Sequence, residues 1–183
     1  MIRYLITDPN YYSNNLVEFE QTLTKALNQN IDMACFRDKS SENFEELAKL
    51  FVKVCKKQNI SKYLINTNIQ LAKKLNATGV HLNSTQFDKI KEAKQLELYV
   101  IISCHNEEEI KKAIEQNADA ITYSPIFLTP NKGEPKGVDD LKLIVSKYPQ
   151  IDIIALGGIV EQSHIEKIEQ SKAYGFASIR YFI

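Results

Sequence analysis

No stretch of this 183-residue chain approaches the ~18 consecutive apolar residues that a membrane-crossing helix requires. The first apolar stretch is broken at once by Asp8-Pro9, so a secretory leader is not expected either. Net charge is also missing, since 23 Lys and Arg balance 23 Asp and Glu. That removes the field that draws a protein to nucleic acid or an acidic membrane, but a local basic cluster could still serve a small anion. Cysteine is scarce. Cys35, Cys55 and Cys104 are odd in number and lack metal-type spacing, which argues against a disulfide framework, and no Cys/His cluster suggests zinc. They read as small buried hydrophobes. No linker or low-complexity segment interrupts the chain, and its length allows one sizeable core without a second full domain. The expectation is one cytoplasmic domain over 1–183, with no membrane and no nucleic-acid partner.

What is present is an alternation. Short apolar runs fall at Arg3–Thr7, Met33–Phe36, Tyr63–Asn66, Gly79–Leu82, Tyr99–Ser103, Ala120–Tyr123, Ile151–Leu156 and Gly175–Ile179. Each is too short for a typical helix, and several are apolar nearly throughout, as parallel strands buried on both faces should be. Between them, Leu16, Phe19, Leu23, Ala26 and Leu27 keep helical spacing, as do Phe44, Leu47, Leu50, Phe51, Val54 and Cys55, and Ile110, Ala113 and Ile114. Further helices are expected over Ile69–Leu75, Phe87–Lys94, Val138–Lys147 and Ser163–Gln170. Asn106 with Glu109 reads as a variant capping box at a helix start.

Strand then helix, repeated seven times and closed by an eighth strand, makes an α/β chain, either a (β/α)8 TIM barrel or an open doubly wound sheet. The count of eight favours the barrel. The final outer helix is expected to be missing or truncated. A homodimer, or the tail Tyr181, Phe182 and Ile183 folded back, is expected to cover the apolar gap that remains.

Barrel sites form at the C-terminal ends of strands. That rule gathers Arg37 and Lys39 after the second strand, Asn66 at the third, Ser103 and His105 at the fifth, and Thr129 and Lys132 in the long loop 124–137. It adds Gly157 and Gly158 after the seventh strand and Arg180 after the eighth. The Gly pair before a helix lets backbone N–H groups approach a phosphate. It also reads as a plain turn, but its place after strand seven favours phosphate. Arg37 and Lys39 point the same way on an extended segment; with Asp38 and Glu42 nearby they also read as surface ion pairs. His81, inside a strand pattern, reads as a hydrogen-bonded structural histidine. His105 faces the site or caps a helix, and His164 reads as a surface residue.

Taken in order, these segments resemble the thiamine-phosphate synthase and TenI-type superfamily over nearly the whole chain. The matching pieces are Tyr4-Leu5-Ile6-Thr7-Asp8, Arg37-Asp38-Lys39, Leu64-Ile65-Asn66, Gly79-Val80-His81-Leu82 and Ser103-Cys104-His105. Ala118-Asp119-Ala120, Pro125-Ile126-Phe127 with Thr129 and Lys132, Ala155-Leu156-Gly157-Gly158-Ile159 and Tyr174-Gly175-Phe176-Ala177 complete the set. The resemblance also marks departures. Two magnesium aspartates of the synthases are replaced by Thr67 and Gln86, a diphosphate-binding glutamine by Cys35, and a phosphate-seating serine by Arg180. The Thr-x-Thr-Lys of the strand-six loop is Thr129-Pro130-Asn131-Lys132. Mg²⁺ needs hard, usually anionic oxygens, and Thr and Gln supply neutral ones. The acid–base histidine of the TenI-type tautomerases is replaced by Pro125.

The resemblance therefore implies a TenI-like protein of thiamine biosynthesis. It would bind a thiazole phosphate or similar phosphorylated ligand at the barrel mouth, through the basic and glycine positions named above. His105 is the one candidate for moving a proton. The alternatives are a synthase joining pyrimidine diphosphate to thiazole phosphate, which alone would call for Mg²⁺, and a non-catalytic sensor.

Overall fold

The computed structural model describes residues Met1–Ile183. Eight parallel strands, β1 (Ile2–Ile6), β2 (Met33–Phe36), β3 (Lys62–Asn66), β4 (Gly79–Leu82), β5 (Tyr99–Cys104), β6 (Ala120–Tyr123), β7 (Asp152–Leu156) and β8 (Gly175–Ser178), pair in sequence order. The barrel closes where Ile2 to Leu5 of β1 lie in register with Gly175 to Ser178 of β8. The open-sheet alternative is thereby excluded. Seven helices cover the outside: α1 (Leu16–Leu27), α2 (Phe44–Lys57), α3 (Ile69–Lys74), α4 (Ile90–Gln95), α5 (Glu107–Glu115), α6 (Gly137–Lys147) and α7 (Gln162–Glu169).

Period-2 alternation divides each strand between two cores. Tyr4, Ile6, Met33, Cys35, Leu64, Ile101, Ala120, Ile154 and Ala177 point inward and fill the barrel. Their neighbours Leu5, Ala34, Phe36, Ile65, Val80, Ile102, Ile121, Ala155 and Phe176 point outward into the larger core beneath the helices. Side chains must taper where strands crowd: a Cβ on Gly79 would lie 2.2 Å from the Tyr99 carbonyl oxygen, so only glycine fits there.

Helix starts follow local chemistry. The Asn15 side chain accepts from the N–H of Val17 and Glu18, and Asn68 caps α3 in the same manner. Asn106 accepts from the Glu109 N–H at 2.9 Å, but the Glu109 carboxylate turns back to the His105 N–H at 2.6 Å. The box therefore reaches one residue further out than the usual form. One expected element differs. The stretch 87–94 is not a single helix but a 3-10 turn, Phe87–Lys89, feeding α4.

No eighth helix follows β8. The tail instead folds back, with Phe182 fully buried and stacked on Phe176 at 5.7 Å between centroids. Gln29, just past α1, donates to the Phe182 carbonyl at 2.7 Å. The Arg3 guanidinium lies 5.5–5.9 Å from the ring centres of Phe176, Tyr181 and Phe182, within cation–π range. The apolar gap between α7 and α1 is thus closed by the chain's own aromatics.

Candidate functional site

The inward side chains change character toward the C-terminal end of the barrel. Below lie Tyr4, Met33, Leu64 and Ile101; above them come Asn66, His81, Ser103 and Thr122. Asn66, His81 and Ser103 of this layer form the floor of a cavity of about 470 Å³ that opens at the strand C-termini, and Thr122 lies buried beside them.

The residues expected from the sequence all border it. Arg37 and Lys39 stand after β2, Asn66 at the end of β3, and Ser103 on β5. His105 lies before α5, and Thr129 and Lys132 in the loop between β6 and α6. Gly157, Gly158 and Arg180 complete the rim on the β7–β8 side. Both glycines have positive φ, +101° and +70°, and neither donates its N–H to a loop or side-chain acceptor. A Cβ on Gly158 would fall 2.6 Å from the Leu128 carbonyl oxygen, so the loop after β6 can rest on this turn only while the residue is glycine. The Phe127 N–H donates to the Gly157 carbonyl at 3.0 Å and fixes that contact.

Four cations therefore face one opening. Only Arg37 is ion-paired, and its partner is neither Asp38 nor Glu42 but Asp8, at the end of β1. Thr7 holds the same residue by its main chain, accepting from the Arg37 N–H at 2.9 Å and donating to its carbonyl at 3.1 Å. Asp38 is used elsewhere, accepting from the Ser40 and Ser41 N–H groups, which holds its carboxyl below the usual range. The Asp8 partnership was not legible because it joins residues 29 apart in sequence.

The three histidines differ. His81 is buried, between the Tyr4 hydroxyl at 2.9 Å from Nδ1 and Ser103 Oγ at 3.1 Å from Nε2. Burial pushes its pKa down to about 4, so the ring is neutral at pH 7. The structural reading of His81 describes these bonds, but the ring also reaches the cavity. His105 both borders the cavity and precedes the helix cap; its Nδ1 lies 3.1 Å from the Ser124 carbonyl. The Ser124 hydroxyl lies 3.3 Å from the same nitrogen; donation from Nδ1 to the carbonyl, which can only accept, would leave the lone pair on Nε2. His164 is not a free surface residue, since it stacks on Phe127 at 4.1 Å between centroids. The cysteines are all buried and unpaired, and burial pushes the Cys35 thiol up to about 12, which leaves it inert.

Thr67 and Gln86 do meet at the rim, where the synthases are expected to hold magnesium. The Gln86 amide donates to the Thr67 carbonyl at 3.0 Å and accepts from the Asn83 N–H at 3.2 Å. Thr67 turns its hydroxyl onto the Asn66 carbonyl at 2.8 Å. A threonine and an amide whose polar groups are engaged by the main chain offer no anionic oxygen, so the pair does not fit a divalent cation. No cluster of three or more His, Cys, Asp or Glu exists elsewhere in the fold.

Residues 3–182 match the family model described as thiamine monophosphate synthase. The chain belongs to the thiamine monophosphate synthase family. It is 34% identical over 185 residues to a putative thiamine-phosphate synthase 2 of Aquifex aeolicus, covering 98% of this chain and 96% of that protein. A thiamine-phosphate synthase of Lactococcus lactis is 27% identical, covering 90% of this chain and 79% of the other. Among solved structures, the fold superposes on the thiamine phosphate pyrophosphorylase of Pyrococcus furiosus with a TM-score of 0.81 at 21% identity. That match covers 97% of this chain and 85% of the other.

Proposed function

We propose that this family member binds a phosphorylated thiazole without a metal, in the manner of the TenI-type branch, and that any turnover is a proton transfer on that ligand. The observation that carries the reading is the pairing of four cations and a bare glycine turn with the loss of both metal carboxylates. Lys39, Lys132 and Arg180 offer unpaired charge to an anion, Arg37 adds a guanidinium already shared with Asp8, and Gly157 and Gly158 offer N–H groups. Thr67 and Gln86 bind each other instead of an ion. Diphosphate departure relies on a metal to neutralise the leaving group, which a phosphate-binding role does not need. For proton transfer the candidate is His105, whose Nε2 is left basic by the Ser124 carbonyl.

The second reading is a synthase, and what favours it is the activity for which the relatives are named. The two part cleanly in one experiment. Calorimetry with the phosphorylated thiazole should give the same affinity in EDTA as in Mg²⁺, and pyrophosphate release from pyrimidine diphosphate plus thiazole phosphate should be negligible. Release at ~1 s⁻¹, an ordinary enzyme rate, would establish the synthase reading and overturn ours.

A further inference from the structure

The polar layer beneath the cavity links three hydroxyl groups through one imidazole, and their burial determines where the protons go. The Tyr4 hydroxyl has no solvent exposure; Nδ1 of His81 lies 2.9 Å from it, and its other side-chain neighbour is the Cys35 thiol. If Nδ1 carried the proton, the buried phenol O–H would have only the Cys35 sulfur, a weak acceptor, to receive it, a loss that folded proteins avoid. Tyr4 therefore donates, and neutral His81 carries its proton on Nε2. That N–H meets Ser103 Oγ at 3.1 Å. Thr122 is fully buried as well, and its Oγ1 lies 3.3 Å from Ser103 Oγ and 3.4 Å from His81 Nε2. With Nε2 already a donor, the Thr122 hydroxyl has only Ser103 Oγ to donate to.

Two donors thus converge on one serine oxygen. Both lone pairs of Ser103 are occupied, and its own proton has no protein acceptor, while the side chain borders the cavity. We infer that Tyr4, His81 and Thr122 are positioning residues that make Ser103 an obligate hydrogen-bond donor, so the floor of the cavity selects a ligand with an acceptor atom there and rejects a donor. The inference rests on the reading that this cavity takes a phosphorylated thiazole. Such a ring offers an acceptor nitrogen, whereas a ligand bringing a hydroxyl or amine to the same point would face proton against proton. Reversal of the chain would leave Tyr4 with only the Cys35 sulfur, so the polarity is built into the barrel core and not set by the ligand.

Two measurements test this. Two-bond ¹H–¹⁵N correlation spectra of the wild-type imidazoles report the tautomer directly. His81 should be neutral with its proton on Nε2, and a proton on Nδ1 would overturn the inference. The second measurement is a double-mutant cycle, read by calorimetry with the phosphorylated thiazole. Ser103→Ala and Tyr4→Phe should each weaken binding by about threefold to tenfold, the worth of one hydrogen bond. Because Tyr4 acts through Ser103, the double variant should be no worse than Ser103→Ala alone, whereas multiplied losses would refute the relay. Thr122→Val should behave like Tyr4→Phe, and Thr122→Ser, which keeps the hydroxyl, should restore binding. If wild-type protein ignores the phosphorylated thiazole, the functional reading falls, and the tautomer spectrum still decides the proton chain.

Discussion

At the scale of single residues, charge and burial separate two kinds of contribution. Arg180 is exposed at the rim, enters no ion pair, and stands where the family resemblance places a serine. A serine donates one neutral hydrogen bond, whereas a guanidinium adds charge and two parallel N–H groups. Arg180→Ala should therefore weaken a phosphorylated thiazole by about tenfold to a hundredfold, or ~1.5–3 kcal/mol, and barely affect the dephosphorylated analogue. Calorimetry on the two ligands checks this, and equal affinity of variant and wild type for the phosphorylated form would remove Arg180 from the seat. His81 also sets how stability depends on pH. Its pKa is about 4 in the fold against an ordinary value near 6.5, so between those values the unfolded chain binds the proton and the native one does not. Stability should be full above pH ~6.5 and fall as the pH drops toward 4, by up to ~3 kcal/mol. Urea unfolding at pH 7.5 and pH 5 should show that loss in the wild type and a smaller one in His81→Gln. The rim residues were legible because each follows a strand in sequence. The Tyr4–His81–Ser103–Thr122 chain was not, because its members sit on four different strands and meet only when the barrel closes.

Among elements, the strands were readable almost residue by residue, and the reason is burial on both faces. β2, β4 and β6 coincide with their apolar runs, and every residue in them is buried. The ends of other strands drift by one residue. β1 begins at Ile2 and stops before Thr7, β7 starts at Asp152, and β8 ends at Ser178, each one residue from the apolar pattern. The split of 87–94 was hidden because a 3-10 turn and a helix place apolar residues at nearly the same spacing. The loop between β6 and α6 is the element most exposed to a local test. It is tied to the rest of the barrel mouth by Phe127 N–H to Gly157, and its main chain lies against Gly158. Gly158→Ala places a Cβ 2.6 Å from the Leu128 oxygen at φ +70°, and should cost at least ~1–3 kcal/mol from the backbone strain alone. Urea unfolding should show the cost, and ligand affinity should fall with it because the loop carries Thr129 and Lys132. An unchanged unfolding midpoint would mean that the loop moves aside freely.

For the whole molecule, the aromatic tail does the covering work that an eighth helix would do. Phe182→Ala removes a buried ring that stacks on Phe176 and lies near Arg3, and should cost ~3–5 kcal/mol, as large core truncations do. Truncating the exposed Leu143 on α6, by contrast, should change stability by no more than ~0.5 kcal/mol, and the same denaturation experiment compares the two. The need for something to cover the barrel beside the last apolar run was legible in the sequence. That Arg3 would join that cover was not, because a lone arginine in a strand carries no sign of the rings that will surround it. The pairing of β1 with β8 also has a consequence in time. Ile2 finds its partner Gly175 only after nearly all of the chain between them has been made. Until then β1 and the latest strand each present an unpaired edge, the kind of template on which chains join one another. During synthesis the growing sheet therefore remains open and adhesive, and the last strand to emerge is the one that makes the molecule safe from its own copies.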